Sequence, residues 1–160
     1  MSTTRTNETS IEVDPKVPAV HIVREFDAPP EKVFRAHTDP ELVVQWLGPR
    51  RHTMTIEHWR CETGGSYHFT HSSDGDEFRF FGSFHEVRPA ELIVQTFTFE
   101  GFPDGVSLET MTFTDLGDGR TRIEALSFYD STETRDLVLS SGMDHGVREG
   151  YERLDELLAG

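Results

Sequence analysis

Residues 52–129 repeat one pattern six times: a short stretch rich in β-branched and aromatic side chains, then a break carrying glycine or proline. The breaks fall at Gly64-Gly65, Ser73-Asp74-Gly75, Arg88-Pro89, residues 101–105 and Gly117-Asp118-Gly119. Such stretches read as strands, and connections this short leave only antiparallel neighbours, because a parallel crossover consumes a dozen residues or more. Six strands in a row predict a meander. One face of such a sheet has to be covered by another layer.

The cover is legible at the C-terminal end. Met143, Val147, Tyr151, Leu154 and Leu158 recur at three- and four-residue spacing and fall on one face of a long helix. Gly142, Gly146 and Gly150 run along one edge of that face, although a helix-interior glycine costs about 1 kcal/mol relative to alanine. Either the missing side chains leave room for a ligand between helix and sheet, or they let another segment approach closely. Before this helix, Asp130 with Glu133 three residues on predicts a capped helical turn, which Gly142 interrupts.

Upstream of the meander, Val20, Ile22 and Phe26 share one parity of a strand that stops at Ala28-Pro29-Pro30. Pro30 suits the first turn of a short helix bearing Val33, Phe34 and His37, and Asp39-Pro40 ends it. A second short helix, residues 40–47, carries Leu42, Val43 and Trp46 and stops at Gly48-Pro49. Residues 1–18 are rich in Thr, Ser and Glu, lack an apolar period and predict a flexible tail. Residues 19–160 then form a single domain. The predicted class is α+β: a curved antiparallel sheet of about seven strands around a long C-terminal helix, with two short helices after the first strand.

Composition narrows the function. A formal charge of -14 opposes phosphate backbones and anionic lipid heads, so nucleic acid and membrane surfaces are not expected partners. The single cysteine, Cys61, cannot close an internal disulfide, and no apolar stretch has the length of a signal peptide core or a membrane span. A cytoplasmic location is expected.

The motifs resemble a known family. Phe26-Asp27-Ala28-Pro29 with Val33-Phe34, Thr38-Asp39-Pro40 and Trp46-Leu47-Gly48-Pro49 is similar to the opening of the family named for the C-terminal domain of the activator of the heat-shock protein 90 ATPase. That family lies within the START-like superfamily (SRPBCC), which includes the birch-pollen-allergen-like proteins. Gly64-Gly65-Ser66-Tyr67, Gly82 and the strand from Glu91 continue the likeness. Ser141-Gly142-Met143, Gly146, Gly150-Tyr151 and Leu154-Asp155-Glu156-Leu157-Leu158 close it. One departure is the pair Arg60 and Glu62, which stands where the family often shows Asp-x-Arg. The resemblance implies a helix-grip fold with an internal cavity and a spread of activities: lipid and hormone binding, polyketide cyclisation, co-chaperone action. A chaperone partner is not expected, since the eponymous activator carries a further N-terminal domain.

Alternate side chains of a strand point to opposite faces, so a cavity would be lined by one parity. Tyr67, Phe69 and His71 share a face, as do Phe78, Phe80 and Phe84, and Met111 and Phe113. With Trp46, Trp59, Phe97, Met143, Val147 and Tyr151 they form either an aromatic pocket or a filled core. Arg24, in register with Ile22 and Phe26, either anchors an acidic ligand or is satisfied by a carboxylate such as Glu109 or Glu124. His71, Tyr67 and Tyr151 are the polar groups that could move a proton in such a cavity.

Eight histidines raise the question of a metal, but their spacing argues against one. His68 and His71 point to opposite faces of a strand, while His52 and His58 would sit about 20 Å apart along one. His145 and Glu149 lie on the polar arc of the last helix. No metal or other cofactor is expected, and Cys61 has no base in a recognised motif beside it.

The first expectation is a binding domain for a small hydrophobic molecule. An enzyme of the cyclase or hydrolase kind in the same cavity, or a stress-related protein-interaction module, are the alternatives. A homodimer through an open sheet edge is compatible with the pattern.

Overall fold

The structure, a computed structural model, describes residues 7–160. Eight strands form one antiparallel sheet: β1 Ser10–Val13, β2 Ala19–Phe26, β3 Thr53–Trp59, β4 Ser66–Ser73, β5 Asp76–Arg88, β6 Leu92–Phe99, β7 Ser107–Gly117 and β8 Arg120–Phe128. Their spatial order is β1-β2-β8-β7-β6-β5-β4-β3. Helices α1 Pro30–Thr38 and α2 Pro40–Val43 follow β2, and α3 Thr132–Ser140 and α4 Met143–Ala159 follow β8. This is the helix-grip architecture read from the sequence. Among the described residues no helix is long and apolar enough to cross a membrane.

Three expectations are corrected, the first being that the second short helix ends at Val43 and not at Leu47. Within the segment expected to be a tail, Ser10–Val13 pairs with β2 and raises the strand count to eight; Met1–Thr6 lie outside the described residues. The cap of α3 is Ser131, whose side chain accepts from the Thr134 N–H, rather than Asp130.

The turns follow from their residues. Asp74 and Gly75 both take positive φ (49° and 87°), as a two-residue hairpin loop requires for its twist to match the strands. Register shifts interrupt the ladders at Ile56/His58, Phe84/Glu86 and Asp115/Gly117. Extra residues at such points bend a strand and strengthen its twist, which curves the sheet.

The pairing puts one parity of every strand on the concave face. Arg24 lies opposite Ile123, Phe113 pairs with Ile123, Met111 with Ala125, Glu109 with Ser127 and with Gln95, Phe80 with Phe69, and Tyr67 with Gly82. Helix α4 covers this face unevenly. Gly150, Tyr151, Leu154 and Leu158, in its C-terminal half, are buried, whereas Met143 and Val147 are only half-buried. The seated half is pinned by Arg24, whose Nη1 and Nη2 donate to the two carboxylate oxygens of Asp155 at 2.9 and 2.6 Å. Tyr151 packs edge-on against Phe26 at 5.2 Å and stacks on Trp46 at 6.0 Å.

The glycine edge of α4 meets the chain that leaves α2. A Cβ on Gly150 would sit 3.3 Å from both the Gly48 nitrogen and the Trp46 carbonyl oxygen, and one on Gly146 would lie 3.5 Å from Pro49 Cδ. Gly142 has φ 91° and breaks α3 from α4. Close approach of a neighbouring segment therefore accounts for Gly150, and a left-handed backbone accounts for Gly142. Arg153 completes this seam by donating to the carbonyls of Gln45, Gly48 and Pro49.

Two substitutions check these contacts. Asp155→Asn leaves the Arg24 side chain, 2% exposed, without its counter-charge, while Asp155 itself is 36% exposed. A loss of about 1–3 kcal/mol in urea unfolding is expected, most of it recovered in Arg24→Met/Asp155→Leu. Gly146→Ala meets only ordinary van der Waals contact, so the gain in helix propensity should raise stability by about 0.5–1 kcal/mol in the same measurement.

Candidate functional site

The N-terminal half of α4 is less deeply buried than its C-terminal half. Phe80, Phe97, Met111, Ala125 and Tyr129 from the sheet side, with Leu139, Met143 and Val147 from the helices, remain half-buried while packing against the core. Phe80 and Phe97 stack at 5.2 Å, and Phe99 joins Phe80 at 5.4 Å. Phe97, Phe80 and Phe99 thus form a continuous aromatic run across β6 and β5.

The expected lining residues divide into two groups. Phe80, Phe97, Met111, Met143 and Val147 stay half-buried at the margin of the core, with Phe80 and Phe97 in direct stacking contact. Trp46, Tyr67, Phe69, Phe84, Phe113 and Tyr151 are buried in the core. Trp46 donates its indole N–H to Ala36 at 2.8 Å and meets His37 edge-on at 4.7 Å. Trp59, half-buried, donates likewise to Thr38 and packs on Tyr67 and Phe84. Phe113 fills the space between Phe34 and His37.

Arg24 is paired as expected, but not with Glu109 or Glu124. The register places Ile123 opposite Arg24, and Glu124 opposite Val23 on the other parity, so the available carboxylate is Asp155 on α4. Further donors reach the Glu25 carbonyl and Thr9 Oγ1. With these bonds made, the guanidinium holds the helix, and it borders a small recess of about 260 Å³ shared with Thr9, Arg148 and Glu152.

His71 is buried, with Nδ1 lacking a hydrogen-bond partner. Its ring lies against Phe69 and Phe80 and fills the space over Gly48, where a Cβ would come within 2.5 Å of it. Desolvation, with lesser contributions from His52 and Arg153, pushes its pKa down to about 4. His37 has the same character: Nδ1 donates to the Val33 carbonyl at 2.8 Å, Nε2 has no partner, and burial lowers its pKa to about 4. Both imidazoles are neutral at physiological pH.

Sequence reasoning missed the polar floor of the site. Glu109, considered only as a counter-ion for Arg24, projects from the centre of the concave face. Its Oε1 accepts from Gln95 Nε2 at 3.2 Å and its Oε2 from Ser127 Oγ at 3.4 Å. The same Gln95 amide reaches Tyr67 Oη at 3.4 Å, and Tyr67 Oη donates to the Thr96 carbonyl at 2.7 Å. Glu109 keeps a fraction of its surface in contact with water, yet desolvation by the protein around it pushes its carboxyl up to about 7. The neighbourhood responds in turn: Tyr129 and Tyr151 are each raised to about 12, and Tyr67 is raised too, in every case chiefly by desolvation and then by the charge of Glu109. The signal in the sequence was parity, since Glu109 shares it with Met111 and Phe113.

Other features carry less chemistry. Cys61 is held as a thiol by burial, which raises its pKa to about 12. Arg60 and Glu62 make an exposed ion pair at 2.5 Å. Among the described residues no group of three or more His, Cys, Asp or Glu is arranged to hold a metal ion. A surface recess of about 620 Å³ lies outside the concave face, bordered by Lys32, Arg35, Gln45, Arg153 and the end of α4.

Comparison with known proteins agrees with this architecture. The family model described as activator of Hsp90 ATPase homolog 1-like protein matches residues 27–159. A solved protein from Arthrobacter aurescens aligns with a TM-score of 0.86 at 27% identity, covering 94% of this chain and 91% of its own. One from Rhodobacter sphaeroides aligns at 0.86 and 25% identity, covering 95% and 99%. Protein Ms6760 from Mycobacterium smegmatis aligns at 0.85 and 25% identity, covering 94% and 97%. No curated protein matches the chain.

The buried imidazoles predict an acid response with a definite sign. Their folded pKa values lie below the ordinary value of 6.5, so between about 6.5 and 4 the unfolded chain takes up protons that the folded chain refuses. Their contribution is complete above pH 6.5 and is lost as pH falls to 4. Glu109 acts oppositely, its contribution fading as pH rises from 4.5 to 7. Urea unfolding of the wild type and His71→Leu at pH 7, 5.5 and 4 should show the wild type losing ground relative to the variant on acidification. A difference independent of pH would contradict the burial of a neutral His71.

Proposed function

The chain belongs to the family of activator of Hsp90 ATPase homolog 1-like proteins, and on that premise we propose that it binds a small apolar or amphipathic organic molecule between the sheet and the N-terminal half of α4. The observation carrying this reading is the uneven seating of α4. Its stripe is buried at Tyr151, Leu154 and Leu158 but left half-buried at Met143 and Val147, and on the sheet Phe80, Phe97 and Met111 are half-buried too. Apolar and aromatic surface that the fold brings inward without closing is what a small ligand can bury, at roughly 25 cal/mol for each Å² removed from water. Polar groups at Glu109, Gln95 and Ser127 would fix its orientation.

Catalysis in the same space is the second reading, favoured by a carboxyl near neutrality among tyrosines. A group with a pKa close to the working pH is suited to giving and taking protons. Conversion of a bound probe, in place of simple saturation, would select it.

Native mass spectrometry of the purified chain and a thermal-shift panel of lipids, flavonoids and polyketide-like aromatics test the reading. A retained small molecule, or a melting temperature that climbs with ligand concentration, is expected; binding at a hundred times Kd adds about 2.7 kcal/mol. Val147→Trp, which fills the space under the helix, should abolish the response while leaving the protein folded. An empty protein without a responder would overturn the proposal and direct attention to protein partners.

A further inference from the structure

Resting on the reading of the interior as a ligand site, we propose that Glu109 is its specificity-determining residue and that the preferred ligand is an organic amine, protonated at one end and apolar or aromatic at the other. The geometry points to an unmet acceptor. Each Glu109 oxygen receives one neutral donor at a long distance, 3.2 Å from Gln95 and 3.4 Å from Ser127. An ionised carboxylate offers about four acceptor positions, so two are not taken by protein donors. Among the described residues no cation is ion-paired with Glu109. Arg24, the nearest candidate by register, is committed to Asp155, the Glu25 carbonyl and Thr9.

The groups facing Glu109 from the other elements are Tyr67 on β4, Gln95 on β6, Ser127 on β8, Tyr129 beyond it and Tyr151 on α4. The tyrosines remain neutral at physiological pH. A buried carboxylate without a counter-charge is costly, and it resists ionisation as the carboxyl here does. An ammonium group supplies the missing charge and fills the open acceptor positions with charge-assisted hydrogen bonds. Phe97, two residues along β6 from Gln95 on the same parity, and its stacking partner Phe80 offer aromatic surface that attracts a cation and receives an aromatic body. The net charge of -14 favours the approach of a cation and opposes that of an organic acid.

Three probes of matched shape separate these features: 2-naphthylmethylamine, 2-naphthylmethanol and 2-naphthoic acid, titrated calorimetrically into the full chain. At pH 8 the amine should bind roughly ten- to a hundredfold more tightly than the alcohol, with the acid weakest. Amine affinity should rise from pH 6 to pH 8 as Glu109 ionises, and amine binding at pH 6 should release a proton, read from the dependence of the heat on buffer. Glu109→Gln should bring amine and alcohol within about threefold and flatten the pH response. Proton release is measured on the wild type alone, so the proposal stays testable if that variant fails to fold. Equal binding of amine and alcohol, an amine advantage that survives Glu109→Gln, or absence of proton release would overturn the role of Glu109 and leave the ligand site standing. Binding of none of the three would overturn the amine preference, and the thermal-shift panel then decides the ligand site separately.

Discussion

The rest of the architecture hangs on how Arg24 meets Asp155. A guanidinium on the concave face of a curved sheet would be intolerable without a partner, and the helix crossing that face supplies a bidentate carboxylate. The pair fixes both the rotation and the lengthwise position of α4, because Asp155 must face β2 while Tyr151 and Leu154 enter the core. Only one half of the helix is held this way. The other half starts at Gly142, which turns the chain between α3 and α4, and is tied through its outer side, where Arg148 donates to the Thr9 carbonyl and Glu149 accepts from the Arg50 N–H.

Much of this was legible before any coordinates. Strand alternation and tight turns determined the meander, its parity and the face shared by Tyr67, Phe80, Met111 and Phe113. The apolar stripe identified the covering helix. What escaped had physical reasons. Ser10–Val13 is a four-residue edge strand with only Ile11 partly buried and no core period to reveal it. The partner of Arg24 depends on the rotation of a helix 131 residues away, which local pattern does not encode. Core and margin share the same residue types, so Trp46 and Phe97 look alike in sequence although one is sealed between His37 and Tyr151 and the other is left half-buried. Glu109 was visible as an acid in an apolar register, but its unusual surroundings exist only once Gln95, Ser127 and three tyrosines converge.

The polar floor and the apolar core place opposite demands on protons. His37 and His71 are neutral because the core excludes their charged forms, and their orphaned nitrogens show that the fold tolerates an unmet acceptor there. Glu109 is held near neutrality by the same desolvation acting on an acid. One environment therefore pushes bases down and acids up, and leaves the interior close to uncharged despite a surface of strongly negative character.

Gly82 carries a consequence for the history of the chain. A Cβ there would fall 2.0 Å from the Thr96 carbonyl oxygen as well as 2.6 Å from the Tyr67 hydroxyl. Trading Tyr67 for a smaller residue removes only the second obstacle, because the first is backbone. The two positions are consequently unequal partners under drift: descendants can lose the tyrosine and keep the glycine, but a lineage that replaces the glycine first has no neighbouring side-chain change that restores it.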